Sequence, residues 1–209
     1  MSIGVENDLQ VYGPVLTKQL TQRLLGETTG AFWHDIVART NHPISLEFYQ
    51  NRGGKLPRKP PVIHATDIGP GKIISGENWE ITAARVEHVQ PYLDSLAYRI
   101  DSDEGSIVFS GDTKPCEALT SLATNADMLI MECIKTNEQS KGTASANSET
   151  DTIGAGKTAT DAGVKKLVLC HQAPELDQPT LKAQAIKEVR SEFKGPIVWG
   201  EEMFKIPWE

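Results

Sequence analysis

The 209-residue chain has no apolar run long enough to span a bilayer, and its first ten residues, "MSIGVENDLQ", have neither the basic start nor the apolar stretch of a secretion signal. The expectation is therefore a cytoplasmic protein without a membrane partner. Basic residues are outnumbered, 21 Lys and Arg against 28 Asp and Glu, for a formal charge of -7. That disfavours a broad electrostatic footprint for nucleic acid, which needs clustered cations. The short runs "RKP" and "VKK" read as solvated surface. Only three cysteines occur, Cys116, Cys133 and Cys170, and none is in CxxC spacing. A disulfide framework and a zinc knuckle are thereby excluded, and the cysteines read as reduced residues in or near the core. No internal repeat is present.

What remains is enough apolar residue, 39%, for one substantial core. "DLQVYG" reads as a strand, and "GPVLTKQLTQRLLG" as a helix opened by Pro14 and closed by Gly26. Residues 27–62, with "NRGGKLPRKPP", read as a loop-rich insertion because Gly and Pro forbid long regular elements. Four strands then follow in succession: "KIIS", "WEITAARVEH", "SLAYRI" and "SIVFSG". "KPCEALTSLATNA" reads as a helix and "DMLIMECI" as a buried strand. Residues 135–150, polar and of low complexity, read as a flexible surface loop. "TIGAGKTATDAG" (helix), "KKLVLCH" (strand), "TLKAQAIKEVRSEF" (helix) and "PIVWG" (strand) complete an α/β protein with mixed sheets, in one domain over 1–209.

Three strands end on polar groups: "ARVEH" on His88, "IVFSGD" on Asp112 and "KLVLCH" on His171. In α/β folds the carboxyl ends of strands converge on one rim, where ligands bind. Two imidazoles and a carboxylate there suit zinc, manganese or iron. Taken singly, each has a structural reading. A histidine after a strand is usually a hydrogen-bonded structural residue, and Asp in "GDT" serves as a turn former or helix cap. One competing motif fails. "TIGAGKT" resembles a phosphate-binding loop of pattern G-x-x-x-x-G-K-[ST], but its first glycine falls on Asp151, and no apolar strand precedes it.

The stretch "VEHVQPYLDSLAYRIDSDEGSIVFSGDTKPCEALTSLATNADMLIMEC", with "AGVKKLVLCHQAP" and "IVWGEEMFKIP", resembles the metallo-β-lactamase superfamily, in its ribonuclease Z-like and arylsulfatase-like branch. The likeness covers roughly residues 9–209. It implies a metallo-β-lactamase-like αββα sandwich with mixed sheets. It also implies two zinc ions in a complete site (manganese or iron in some cases), with His88, Asp112 and His171 as metal ligands and Asp112 bridging. Glu132 matches a family acidic position, either supporting a ligand or simply ending its strand. The activity implied is hydrolysis of a phosphodiester, sulfate or carboxylic ester by metal-bound hydroxide.

Two departures qualify this. The superfamily's H-x-H-x-D-H motif, which precedes the block matching "VYGP", is absent, so the resemblance implies that the N-terminal part of the domain is missing. Where the family commonly has a His-Thr pair before "AGVKKL", this chain has Glu149-Thr150. Glu149 is either a substrate-binding carboxylate in that position or a solvated residue suited to a helix start. Two functions follow. One is a metallo-hydrolase, with a small or anionic ester favoured over nucleic acid as substrate. The other is a catalytically incomplete relative with a binding role. A homodimer is expected in either case, since branch members are often dimers and an incomplete lobe leaves apolar faces uncovered.

Overall fold

The structure, a computed structural model, describes residues 8–208. These form two compact units, one reaching to Ile68 and the other beginning at Gly69, where the sequence suggests one domain. In the first unit, β1 (Leu9–Gly13) pairs in parallel with β2 (Ile63–Asp67). Between them run α1 (Thr17–Leu25), α2 (Trp33–Asn41) and α3 (Pro43–Asn51). The stretch read as loop-rich over 27–62 is thus helical over Trp33–Asn41 and Pro43–Asn51. "WHDIVARTN" and "PISLEFYQN" each bring apolar residues round at helical spacing, and Pro43 fits the first turn of α3. The Gly and Pro residues that dominate the sequence impression are confined to 52–62, which is irregular. Helix α1 buries none of its residues, and Leu20 and Leu24 remain exposed.

The second unit is built on a seven-stranded mixed sheet in sequential order. Its strands are β3 (Gly71–Ser75), β4 (Trp79–Val86), β5 (Ser95–Ser102), β6 (Gly105–Phe109), β7 (Met128–Glu132), β8 (Lys166–Cys170) and β9 (Ile197–Trp199). Strands β3 to β6 form an antiparallel meander, and β6 to β9 are parallel. Both β4 and β6 run antiparallel to β5, so the carboxyl ends of β4, β6, β7 and β8 share one rim.

Three helices, α4 (Glu117–Leu122), α6 (Thr152–Ala162) and α7 (Pro179–Glu192), join the sheet in one apolar cluster. Leu119, Leu129, Met131, Leu167, Leu169 and Val189 are wholly buried in it, each worth about 1.5–3 kcal/mol of transfer free energy. Strands β7 and β8 read "MLIME" and "KLVLC" because a parallel strand covered on its faces carries no polar alternation. The glycines of "TIGAGKT" serve packing. A Cβ on Gly156 would lie 2.8 Å from the Val189 carbonyl oxygen, so only glycine lets α6 and α7 approach this closely.

Two further segments depart from the sequence reading. The helix expected over "KPCEALTSLATNA" begins only at Glu117, because Pro115 disfavours helix at Lys114 and the preceding backbone is bonded elsewhere. The segment 135–150 contains a short helix, α5 (Asn137–Ser140), opened by a capping box between Thr136 and Gln139. A 3₁₀ turn over Ala144–Asn147 follows, and Thr136, Ser140 and Thr150 are buried. Its polar composition satisfies backbone groups as well as solvent.

At the opposite rim, Asp127 Oδ2 accepts the Ser106 N–H at 2.8 Å and the Ser106 hydroxyl at 3.0 Å. Its other oxygen accepts Lys165 Nζ at 2.6 Å. The lysine contact, then the serine bonds, hold the Asp127 carboxyl down at about 2. A depressed acid stabilises the fold above its ordinary range, and this contribution disappears as pH falls towards 2. Asp127→Asn should therefore cost about 1–2 kcal/mol at neutral pH, with the difference from wild type shrinking between pH 4 and 2. Urea denaturation across that range measures it, and a constant offset would contradict the assignment.

Candidate functional site

The rim formed by the ends of β4, β6, β7 and β8 carries His88, Asp112, Glu132 and His171. At the end of β6 the chain reverses through Gly111, whose φ of +61° is left-handed and strained for any residue with a Cβ. The turn leaves Asp112 pointing off the sheet with its side chain about half exposed. His171, directly after β8, also has a left-handed φ, +55°. In a non-glycine residue this is a conformation that surrounding structure must enforce.

The side chains of Asp112 and His171 face each other, with Oδ1 and Nε2 3.6 Å apart. The gap is too long for a hydrogen bond. It is close to the edge between two ligands of tetrahedral zinc, about 3.4 Å for legs of 2.0–2.2 Å. His88 is oriented independently, its Nδ1 lying 2.8 Å from the Ser148 carbonyl oxygen. A carbonyl can only accept, so Nδ1 carries the proton and Nε2 keeps its lone pair. A backbone carbonyl often orients a metal-binding histidine in this way.

These residues offer suitable donors but not a closed set. Among the described residues, no group of three or more His, Cys, Asp or Glu side chains is gathered so as to hold a metal ion. Asp112 and His171 are brought together, and His88 does not complete a trio with them. The cysteines do not complete such a group among the described residues either. Burial first, then the carboxylates of Glu132 and Asp112, push the Cys170 thiol up to about 11, and burial pushes Cys133 to about 12.

What assembles the rim is Glu132, the last residue of β7, with 2% of its surface exposed. Its Oε2 accepts the Thr113 N–H at 2.6 Å, and its Oε1 accepts the Thr150 N–H at 3.1 Å. Its own N–H donates to Ser110 Oγ at 3.1 Å. Thr150 Oγ1 donates to the Thr113 carbonyl at 2.5 Å. Thr113 Oγ1 bridges Glu87, accepting its N–H at 3.2 Å and donating to its carbonyl at 3.0 Å. One buried carboxylate and two threonines thus tie together the residues beside His88, Asp112 and Glu149. Burial pushes Glu132 up to about 7, against the downward pull of its two amide bonds; the charges of Asp112 and Glu149 add to the rise.

Glu149 sits half-buried between Ser148, which orients His88, and Thr150, which is held by Glu132. Its backbone follows the 3₁₀ turn, bonding to the Ser145 carbonyl at 2.8 Å. The sequence shows Glu132 only as a strand-end acid of two readings, and nothing in it singles out Thr113, Ser148 or Thr150. Their parts depend on partners 18 to 60 residues away.

The fold and this rim define a class, and comparison with known proteins agrees with it. The family described as "Beta-lactamase superfamily domain" matches residues 39–172, and the chain belongs to this superfamily, an enzyme family of metallo-β-lactamase fold. Among individual relatives, it is 28% identical over 198 residues to ribonuclease Z of Mycobacterium tuberculosis (strain ATCC 25618 / H37Rv), covering 92% of this chain and 68% of that protein. It is likewise 28% identical over 206 residues to ribonuclease Z of Mycobacterium marinum (strain ATCC BAA-535 / M), covering 95% and 67%. The metallo-beta-lactamase fold protein YhfI of Bacillus subtilis superposes with a TM-score of 0.63 at 18% identity, covering 95% of this chain and 64% of that one. The short form of human tRNase Z gives 0.57 at 15%, covering 97% and 68%. The chain spans about two-thirds of the length of these proteins.

Glu132→Ala leaves the buried Thr113 and Thr150 amides without acceptors, at about 1–3 kcal/mol each. It should lower unfolding free energy by about 2–4 kcal/mol in urea, whereas Glu138→Ala, at an exposed position, should change it by less than about 0.5 kcal/mol. Equal effects of the two would remove Glu132 from its organising role.

Proposed function

We propose that this chain is part of a metal-dependent hydrolase of phosphodiesters, with RNA as the substrate class. The observation that carries the reading is the Asp112–His171 pair, two half-exposed donors 3.6 Å apart at a strained rim. The ribonuclease Z relatives support phosphodiester chemistry, and they move the balance toward nucleic acid, which composition alone disfavours. His88 through Nε2, Asp112 through its carboxylate and His171 through Nε2 would hold zinc, or manganese or iron, together with ligands from outside these three. Bound metal would supply a positive field for the phosphoryl oxygens and an acidified water.

The chain's own contributions are positional. Ser148 fixes the His88 ring, and Glu132 fixes the backbone on which Asp112 and Glu149 stand. Glu149 would meet the leaving side of the substrate as a proton-handling carboxylate, in the position where the family commonly has histidine. Self-association remains part of the proposal, and the exposed leucines of α1 favour it.

A second reading is a chain that binds ligands without turnover, since among the described residues no group of three or more donors is gathered to hold a metal ion. Elemental analysis after zinc loading, beside hydrolysis of bis(4-nitrophenyl) phosphate, separates the two. The hydrolase reading expects bound zinc and a chelator-sensitive rate, with Asp112→Ala lowering both the zinc content and the rate at least 100-fold while leaving the fold intact. Chelator-insensitive hydrolysis, or a rate indifferent to Asp112→Ala, would sink it.

A further inference from the structure

Residues 137–152 carry two groups of the rim, the Ser148 carbonyl on His88 and the Glu149 side chain, and both ends of this segment meet one acid from a distant helix. Glu188 stands half-buried in α7. Its Oε2 accepts the Asn137 N–H at 2.9 Å, where α5 begins, and the Thr152 hydroxyl, where α6 begins. Thr152 Oγ1 also accepts the Asn137 N–H at 2.9 Å, so amide, hydroxyl and carboxylate close a triangle. The other carboxylate oxygen, Oε1, accepts Gln184 Nε2 at 2.9 Å, one turn back on α7. Burial alone would raise this carboxyl; the bonds from Thr152, Gln184 and Asn137 hold it below its ordinary range. Helix α7 is a firm platform for the acid, since it packs on α6 at Gly156 and its Glu192 carbonyl accepts Thr160 Oγ1 at 2.8 Å.

Between the clamped ends the bonds are local. Thr143 Oγ1 donates to the Ser140 carbonyl at 2.7 Å. The Ser148 and Glu149 N–H groups both donate to the Ser145 carbonyl, at 3.1 and 2.8 Å. A loop folded on itself in this way takes its placement from its ends. Glu132, through Thr150, holds the exit. The entry at Asn137 rests on Glu188, which grips the exit a second time through Thr152. We propose that Glu188 is a positioning residue for the rim: by clamping both ends of segment 137–152 it sets the Ser148 carbonyl that orients the His88 ring, and with it the stance of Glu149. The inference deepens the hydrolase reading above, and only its kinetic arm rests on that reading. A merely structural anchor would lower stability and leave the histidine as it was.

The test reads the His88 ring nitrogens by ¹⁵N NMR in the full chain, in excess chelator, near pH ~8.5 where imidazole is neutral. Wild type should hold the Nδ1–H tautomer. Glu188→Ala should lower the ratio of Nδ1–H to Nε2–H about tenfold, the worth of one ordinary hydrogen bond. Glu188→Gln keeps an oxygen acceptor for Asn137 and Thr152 and should stay within about threefold of wild type. Thr152→Val, similar in shape but without the hydroxyl, should move the ratio in the same direction as Glu188→Ala, and decides alone where that variant does not fold. Asp127→Asn loosens the opposite rim and should leave His88 unchanged. In the kinetic arm, zinc-loaded Glu188→Ala should hydrolyse bis(4-nitrophenyl) phosphate with kcat lower by about tenfold or more, and Glu188→Gln should recover most of it. An unchanged tautomer in Glu188→Ala and Thr152→Val overturns the proposal, as does an equal shift in Asp127→Asn. An unchanged kcat beside an active wild type overturns it as well. Absence of wild-type hydrolysis would sink the hydrolase reading instead, and the tautomer would still decide whether Glu188 places the segment.

Discussion

A carboxylate buried at the end of β7 accepts hydrogen bonds from two backbone amides that reach it from different parts of the chain, Thr113 after β6 and Thr150 before α6. The rim depends on that clasp. Without it the Thr113 and Thr150 N–H groups would be buried donors with no acceptor. Burial makes the charge on Glu132 costly, and the two amides offset part of that cost. The acid is therefore matched to this position and to few others. Its neighbours inherit the order it imposes: Asp112 precedes one held residue, and Glu149 the other.

The strain at the rim fits the same account. Gly111 and His171 both occupy left-handed backbone, the first at no cost and the second only because the sheet and its connections enforce it. The result is a pair of donors that face each other at 3.6 Å, beyond hydrogen-bond distance. The proposed metal would draw on them together with donors beyond this pair. Phosphodiester chemistry is therefore a property proposed for the assembled site rather than for any one side chain.

Much of this was legible in the sequence because it follows from local pattern. The seven strands of the second unit announce themselves as apolar runs between turn residues, and "FSGDT" marks a turn that needs glycine. The rest was not legible, for physical reasons that differ from place to place. Helices α2 and α3 were masked by the Gly and Pro residues that follow them at 52–62. The shortened α4 reflects tertiary bonding at Thr113 and Lys114 that overrides helix propensity. The clasp itself joins residues 18 and 19 positions from Glu132, and no periodicity reports such contacts. Thr113 and Thr150 look like ordinary turn residues until their partners are placed.

Amide hydrogen exchange at Thr113 and Thr150, in wild type and in Glu132→Ala, tests the clasp most directly. Both amides should exchange slowly in wild type. Both should accelerate together in the variant, by about tenfold for each 1.4 kcal/mol lost, while Leu129 to Met131 in β7 stay protected. Unchanged exchange at both threonines would contradict the account, since the rim would then be held by something other than Glu132.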